Sequence, residues 1–142
     1  MSTVKADNFT WKTGQATGQS GTNVTGDQIV YGVAKSWINY DGTSGGSVRA
    51  SFNTSSKTRN GTGDYTLNFT VAMPDTNYTY TGLAAFGEAN STATGRYVSP
   101  YVGGGGVYPF GLATGSLRFT TTYAVNVSNQ DCQFVNIIVF GN

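Results

Sequence analysis

Residues 34–78 read AKSWINYDGTSGGSVRASFNTSSKTRNGTGDYTLNFTVAMPDTNY, and their patterning decides the fold class. Val48, Ala50 and Phe52 alternate with Arg49, Ser51 and Asn53, and Tyr65, Leu67, Phe69 and Val71 alternate with Thr66, Asn68 and Thr70. A period of two places one set on each face of an extended strand. Between these runs lie turn chemistries: DGTSGG at residues 41–46, where Asp-Gly supplies positive φ at low cost, and Asn60-Gly61, a strong hairpin dipeptide. The strands flanking Asn60-Gly61 are expected to pair as an antiparallel hairpin, with Phe52 and Phe69 on one core face. Trp37 is expected in the core or an interface. Pro74 lacks a backbone donor and ends the second strand.

Outward from this stretch the same grammar continues. IVYGVAKSWINY (residues 29–40) is strand-like with a glycine kink at Gly32, and Tyr78 and Tyr80 begin a strand that Leu83 and Phe86 complete. SLRFTTTYAVNV (residues 116–127) alternates Leu117, Phe119, Thr121 and Tyr123. CQFVNIIVF (residues 132–140) is nearly continuous in apolar character, as a central strand covered on both faces would be, or one whose outer face meets another subunit. Turn signals recur, and no helical period appears. The expectation is an all-β knob, an antiparallel β-sandwich or jelly-roll-like barrel, over residues 29–142.

Residues 1–28, MSTVKADNFTWKTGQATGQSGTNVTGDQ, differ in kind. Their Gly/Ser/Thr/Gln content offers too little apolar surface to offset ordering entropy, as in a disordered tail. Yet Phe9 and Trp11 each lose about 1.5–3 kcal/mol if left in water. An extended leader is therefore expected, with Val4, Phe9 and Trp11 packing on sister chains or on an attachment site.

Composition narrows the function classes. The 142 residues suit one domain with a sizeable core. Only 11% are charged and the net charge is +1, with the cations scattered, so no field favours nucleic acid or an anionic membrane. No apolar run approaches a membrane-spanning helix, and the N-terminus lacks a signal-like apolar region, so synthesis in the cytoplasm is expected. The chain contains no histidine, which removes the commonest general base and metal ligand. Cys132 is alone, so intrachain disulfides and thiolate zinc sites do not arise, and it reads as a small buried hydrophobe. Asn-x-Ser/Thr triplets start at Asn8, Asn23, Asn53, Asn60, Asn68, Asn77, Asn90 and Asn126, an outcome of Asn/Thr-rich composition.

Residues 95–111 are the irregular part, with Pro100, Pro109 and a tetraglycine at Gly103 to Gly106. That tetraglycine lacks the Gly-Lys-Ser/Thr and following helix of a phosphate loop. Long loops in compact domains are often functional. Arg96, Tyr97, Tyr101, Tyr108 and Phe110 are the candidate binding residues: four aromatic faces for sugar rings or a protein receptor, and one forked donor. No cofactor, metal or catalytic residue is assigned. Asp41, Asp64 and Asp75 read as turn residues before they read as a glycosidase pair.

WINYDGT, SVRASFNTSS and NGTGDYTLNFTVAMPDTNY together resemble the C-terminal β domain of structural fibre proteins of tailed bacteriophages, notably marine cyanophages. The resemblance rests on Trp37, Asn39, Tyr40, Gly42 and Thr43; on Arg49, Ser51, Phe52 and Asn53; on the stretch from Asn60 to Tyr65; and on the stretch from Ala72 to Tyr78. STVKADNFTWKTG is similar to the leader of such proteins. Lys57-Thr58-Arg59 departs from the acidic or polar step usual there, and the match covers about a third of the chain. It implies a virion protein: a homotrimeric head or tail fibre knob, docked on other virion structural proteins and adhering to a host glycan or protein receptor. A decoration protein without receptor binding and a polysaccharide-cleaving tailspike are the alternatives it leaves.

Overall fold

A computed structural model of the chain describes residues 32–86, 96–101 and 111–141, together with the backbone at 8–9 and 24–25. The chain divides into two units, Met1–Val33 and Ala34–Asn142. In the first, strands β1 (Asn8–Phe9) and β2 (Val24–Thr25) pair antiparallel, Phe9 opposite Val24. Val4 and Trp11 lie outside the described residues.

The second unit is all-β. Its long strands are β3 (Ser36–Tyr40), β4 (Val48–Phe52), β5 (Thr54–Gly61), β6 (Asp64–Phe69), β7 (Thr79–Ala85), β8 (Arg96–Pro100), β10 (Ser116–Tyr123) and β12 (Phe134–Phe140). Two short strands, β9 (Leu112–Ala113) and β11 (Ser128–Asn129), both pair with β10. The long strands form one continuous antiparallel sheet in the order β4-β3-β12-β7-β8-β10-β6-β5, nearly closed into a barrel.

Alternation decides what fills it. Ile38 and Tyr40 on β3, Tyr65, Leu67 and Phe69 on β6, Leu117 and Phe119 on β10, and Val135, Ile137 and Val139 on β12 all point inward and are buried. Each contributes about 1.5–3 kcal/mol of apolar burial. Cys132 is also fully buried. Tyr65 is the hub, meeting Tyr40 edge-on at 5.5 Å and Phe119 at 5.8 Å between ring centroids.

The two sheet edges, β4 and β5, are consecutive in the chain, and Asn53 is the corner between them at φ 52°. Asparagine tolerates this left-handed backbone, and its side chain uses the position. Nδ2 donates to the Lys35 carbonyl (2.9 Å) and the Val71 carbonyl (3.1 Å), while Oδ1 accepts from Val71 N (2.7 Å). Further along the seam Lys57 Nζ donates to the carbonyls of Asp41 (3.0 Å) and Gly46 (2.9 Å). Asp131 closes the far end: Oδ1 accepts from Gly63 N at 2.8 Å and lies 2.6 Å from Tyr65 Oη, and Arg59 Nη2 pairs with Oδ2 at 2.7 Å. Side-chain bridges thus stand where a backbone ladder would complete the barrel.

Several expectations need correction. The hairpin partner of β6 is β5 and not β4, with Lys57 opposite Leu67 and Arg59 opposite Tyr65. The chain reverses at Thr62-Gly63, Gly63 holding φ 61°, while Asn60-Gly61 sits in β5 at a bulge. A Cβ on Gly63 would run into Gln130 N and the Thr121 carbonyl, so position 63 demands glycine on both counts. The corner at Asn53 carries β4 to the opposite edge of the sheet, where it pairs with β3. Phe52 is therefore opposite Trp37 on the outer surface and not beside Phe69 in the core. Strand β12 is central, between β3 and β7, but only its inner face is covered.

Candidate functional site

The site grows from the outer positions of β8 and β10. Val98 turns inward against the core, so its neighbours Tyr97 and Ser99 point out. On β10, Leu117, Phe119 and Thr121 turn inward, leaving Thr120 and Thr122 on the same outer face. Register places Thr120 opposite Ser99 and Thr122 opposite Tyr97, and β11 adds Asn129 opposite Thr122. These residues, with Pro100, Tyr101 and Val127, line an open groove of about 420 Å3.

The floor of the groove is a chain of hydroxyls. Ser99 Oγ lies 2.6 Å from Thr120 Oγ1 and 3.2 Å from Thr122 Oγ1, within hydrogen-bond reach of both. Tyrosines stand at both ends, Tyr97 with 40% of its surface open and Tyr101 half-buried. The Arg118 guanidinium stacks on the Tyr101 ring, 3.6 Å from its centroid, and its own charge is met by Asp64 through bonds of 2.9 and 2.7 Å. Val127 forms the rim at φ 53°, a backbone state that costs a β-branched residue strain.

Of the residues singled out by sequence, the groove unites Tyr97 and Tyr101. Arg96 belongs to a different cluster, its guanidinium over Phe86 (4.7 Å) and Tyr123 (4.8 Å), with Nε donating to Gln130 Oε1 at 2.8 Å. Tyr108 and Phe110 lie outside the described residues. Sequence reasoning passed over Ser99, Thr120, Thr122 and Asn129. The signal was available: the outer register of RFTTTY carries Thr120 and Thr122 beside the inward-facing Phe119 and Thr121.

A second surface stands on the neighbouring sector. Phe52, Trp37 and Ile138 lie in register across β4, β3 and β12, and Asn136 continues the next row to Leu83 and Tyr97. Leu83 is 74% exposed and Phe52 54%, and Trp37, Ile138 and Phe134 are also open. Arg49 lies over the Phe134 ring at 4.7 Å.

The described carboxylates each make local bonds. Asp41 Oδ1 accepts from Thr43 Oγ1 (2.7 Å) and Thr43 N (2.9 Å), bonds that hold its pKa below the usual carboxylate value. Arg118 does the same for Asp64. Burial alone would raise Asp131, but hydrogen bonds from Arg59, Gly63 and Tyr65 outweigh it and the net shift is downward. Asp75 Oδ1 accepts from Asn77 N at 2.7 Å. Asp41, Asp64 and Asp131 are thus all shifted away from the range a general acid uses. Among the described residues no group of His, Cys, Asp and Glu is arranged to hold a metal ion. No family model, curated protein or solved structure matches the chain.

Proposed function

We propose that the barrel is a non-catalytic, self-associating knob, the displayed domain of a homotrimeric virion fibre of the phage type, and that it serves adhesion. The resemblance of residues 37–78 to such fibre domains supplies the biological setting. The physical support is the exposed row Phe52, Trp37 and Ile138 with Leu83 and Phe134 beside it. Together these side chains leave on the order of 500 Å2 of apolar surface open, the upper end of what a monomer carries without a partner. A charge-poor chain gives that face little to attract an ionic partner, and a second copy offers the matching apolar surface.

The fold reading that accompanies this is a compact knob related to the jelly-roll-like barrels, with residues 1–28 as the attachment arm. Multi-angle light scattering of the purified chain tests the assembly: three chain masses are expected. The double variant Trp37→Lys/Ile138→Lys should shift it to one chain mass while its thermal transition stays cooperative, since both positions lie outside the core. A monodisperse monomer at tens of micromolar overturns the trimer, and an unchanged trimer in the double variant overturns this choice of surface.

A further inference from the structure

We propose that the Tyr97–Tyr101 groove binds a neutral oligosaccharide. This rests on the adhesive-knob reading and names what the knob would hold.

Three properties of the groove point to that chemistry. The first is the pairing of flat apolar walls with a hydroxyl floor. Tyr97 on β8 and Tyr101 just past its end are four residues apart, about 13 Å if the extended chain continues, the reach of a short oligosaccharide. Sugar rings present C–H faces to aromatic rings and hydroxyls at their edges, and the groove has places for both. The second is the donor–acceptor balance of the floor. Ser99, Thr120 and Thr122 are each donor and acceptor, and the Asn129 side chain adds an amide with both functions. Thr120 and Thr122 are themselves buried and hold Ser99 in place, so Ser99 and Asn129 present the reachable donors and acceptors of the floor, which a polyol matches and an acceptor-only anion does not.

The third is electrical. Arg118 stacks on Tyr101 at one end of the groove, and Asp64 takes its guanidinium in two bonds, so its charge holds the Tyr101 ring in place instead of facing a ligand. Among the described residues, the groove's lining carries no charged side chain. A sulfated or carboxylated glycan would lose hydration here with no compensating cation. Along the floor itself β8 and β10 already pair with each other, and β11 flanks β10, so a ligand there meets side chains and not an open backbone ladder. With one face of Tyr101 taken by Arg118, the open Tyr97 ring and a few exchangeable hydroxyl bonds make a weak site, with affinity in the submillimolar to millimolar range, about −4 to −5 kcal/mol.

The test is NMR titration of isotope-labelled full-length protein with maltotriose, cellotriose and α-mannotriose as neutral probes, and a heparin-derived disaccharide as the anionic one. At least one neutral trisaccharide is expected to give saturable shifts concentrated at Tyr97, Ser99, Tyr101, Thr120, Thr122 and Asn129. Tyr97→Ala should weaken that binding about tenfold, the worth of one stacked ring. Thr122→Val, which keeps the shape and removes a floor hydroxyl, should weaken it about threefold to tenfold. Tyr97 is exposed, so Tyr97→Ala should keep the parent's melting temperature within a few degrees; Thr122 is buried, so Thr122→Val is read only where its thermal transition stays cooperative, and a Tyr97 variant that unfolds is replaced by Tyr97→Leu. Absence of saturable shifts with all three neutral probes at 20 mM overturns the proposal. So does preference for the anionic disaccharide, or an affinity indifferent to Tyr97 and Thr122. Light scattering on the same samples reports the assembly state independently, so a failed groove and a failed trimer are separate results.

Discussion

Replacing Tyr65 and Tyr40 by phenylalanine, one at a time, should give opposite outcomes although the two rings touch. Both are fully buried and meet edge-on, and burial pushes both phenols far above their ordinary pKa, so each stays a neutral hydroxyl. Tyr65 Oη lies 2.6 Å from the Gly42 carbonyl and 2.6 Å from Asp131 Oδ1, its one proton serving both. Tyr40 Oη has no partner among the described residues. Tyr65→Phe keeps the ring, so no cavity opens and the cost is polar. It loses a hydrogen bond to a charged group, about 1.5–3 kcal/mol, and strands the buried Gly42 carbonyl. Asp131 keeps Arg59 and Gly63, which limits the loss to about 2–3 kcal/mol. For a unit of this size that lowers the melting temperature by roughly 8–15 °C. Tyr40→Phe removes a hydroxyl that was stripped of water and given nothing back, so it should be neutral or stabilise by up to about 1 kcal/mol. Urea unfolding at fixed protein concentration measures both, and an unchanged m value shows that the compared states are the same. Equal losses in the two variants, or a loss above about 1 kcal/mol in Tyr40→Phe, would refute the assignment of Tyr65 as the seam's polar anchor.

Asn53 should show that its side chain matters beyond its backbone. Asn53→Gly keeps the left-handed corner and loses the bonds to Lys35 and Val71, costing about 1–2 kcal/mol. Asn53→Ala adds backbone strain and should cost about 1 kcal/mol more by the same urea assay; equal costs would assign the corner to the hydrogen bonds alone. Asp41, Asp64 and Asp131 all have folded pKa values below the unfolded one, so their stabilisation is complete above the ordinary carboxylate value of about 4 and is lost as pH falls through the lower folded values. The melting temperature should be flat from pH 7 to about 4.5 and fall below it, and Asp131→Asn should shallow that fall. A melting temperature that rises on acidification would contradict the three assignments.

The inner registers of β6 and β10 were legible because each carries apolar residues on one face and polar or mixed ones on the other, so alternation had one physical solution; β12, apolar in both registers, left its faces undistinguished. Strand β4 carries the same kind of signal in VRASF and the opposite outcome: its apolar set faces out. Alternation marks two faces but says nothing about which neighbours a strand acquires, and the corner at Asn53 sends β4 to the far edge. Strand β3 shows the converse, since SWINY has apolar residues in both registers, and the sheet buries Ser36, Ile38 and Tyr40 while leaving Trp37 outside. The reversal was displaced for a local reason. Asn60-Gly61 has the stronger hairpin composition, but Gly63 N bonds to Asp131, a residue far along the chain, and that contact selects Thr62-Gly63. In the candidate site the tyrosines were visible as aromatics out of place in an irregular segment. Ser99, Thr120 and Thr122 were not, because hydroxyls acquire meaning only when register brings them side by side.

The two surfaces are not independent of each other. Leu83, the most open apolar residue of the outer face, sits opposite Tyr97, the wall of the groove, in the one paired position that joins β7 to β8. On the proposed reading, a neighbouring copy that covers Leu83 comes up against Tyr97, so assembly and sugar binding meet at this pair, and each copy that leaves Tyr97 uncovered adds a groove to the assembly. A shallow, uncharged groove of this kind holds a sugar weakly. Three grooves on one rigid body engaging a repetitive surface gain effective concentration, and the combined strength can exceed a single site by orders of magnitude without a new contact. Weak monovalent affinity is therefore what such a device needs: each contact releases easily, and the array does not. The charge-poor composition fits the same logic, because an adhesive surface with little net charge adds little non-specific attraction to compete with the groove's own selectivity.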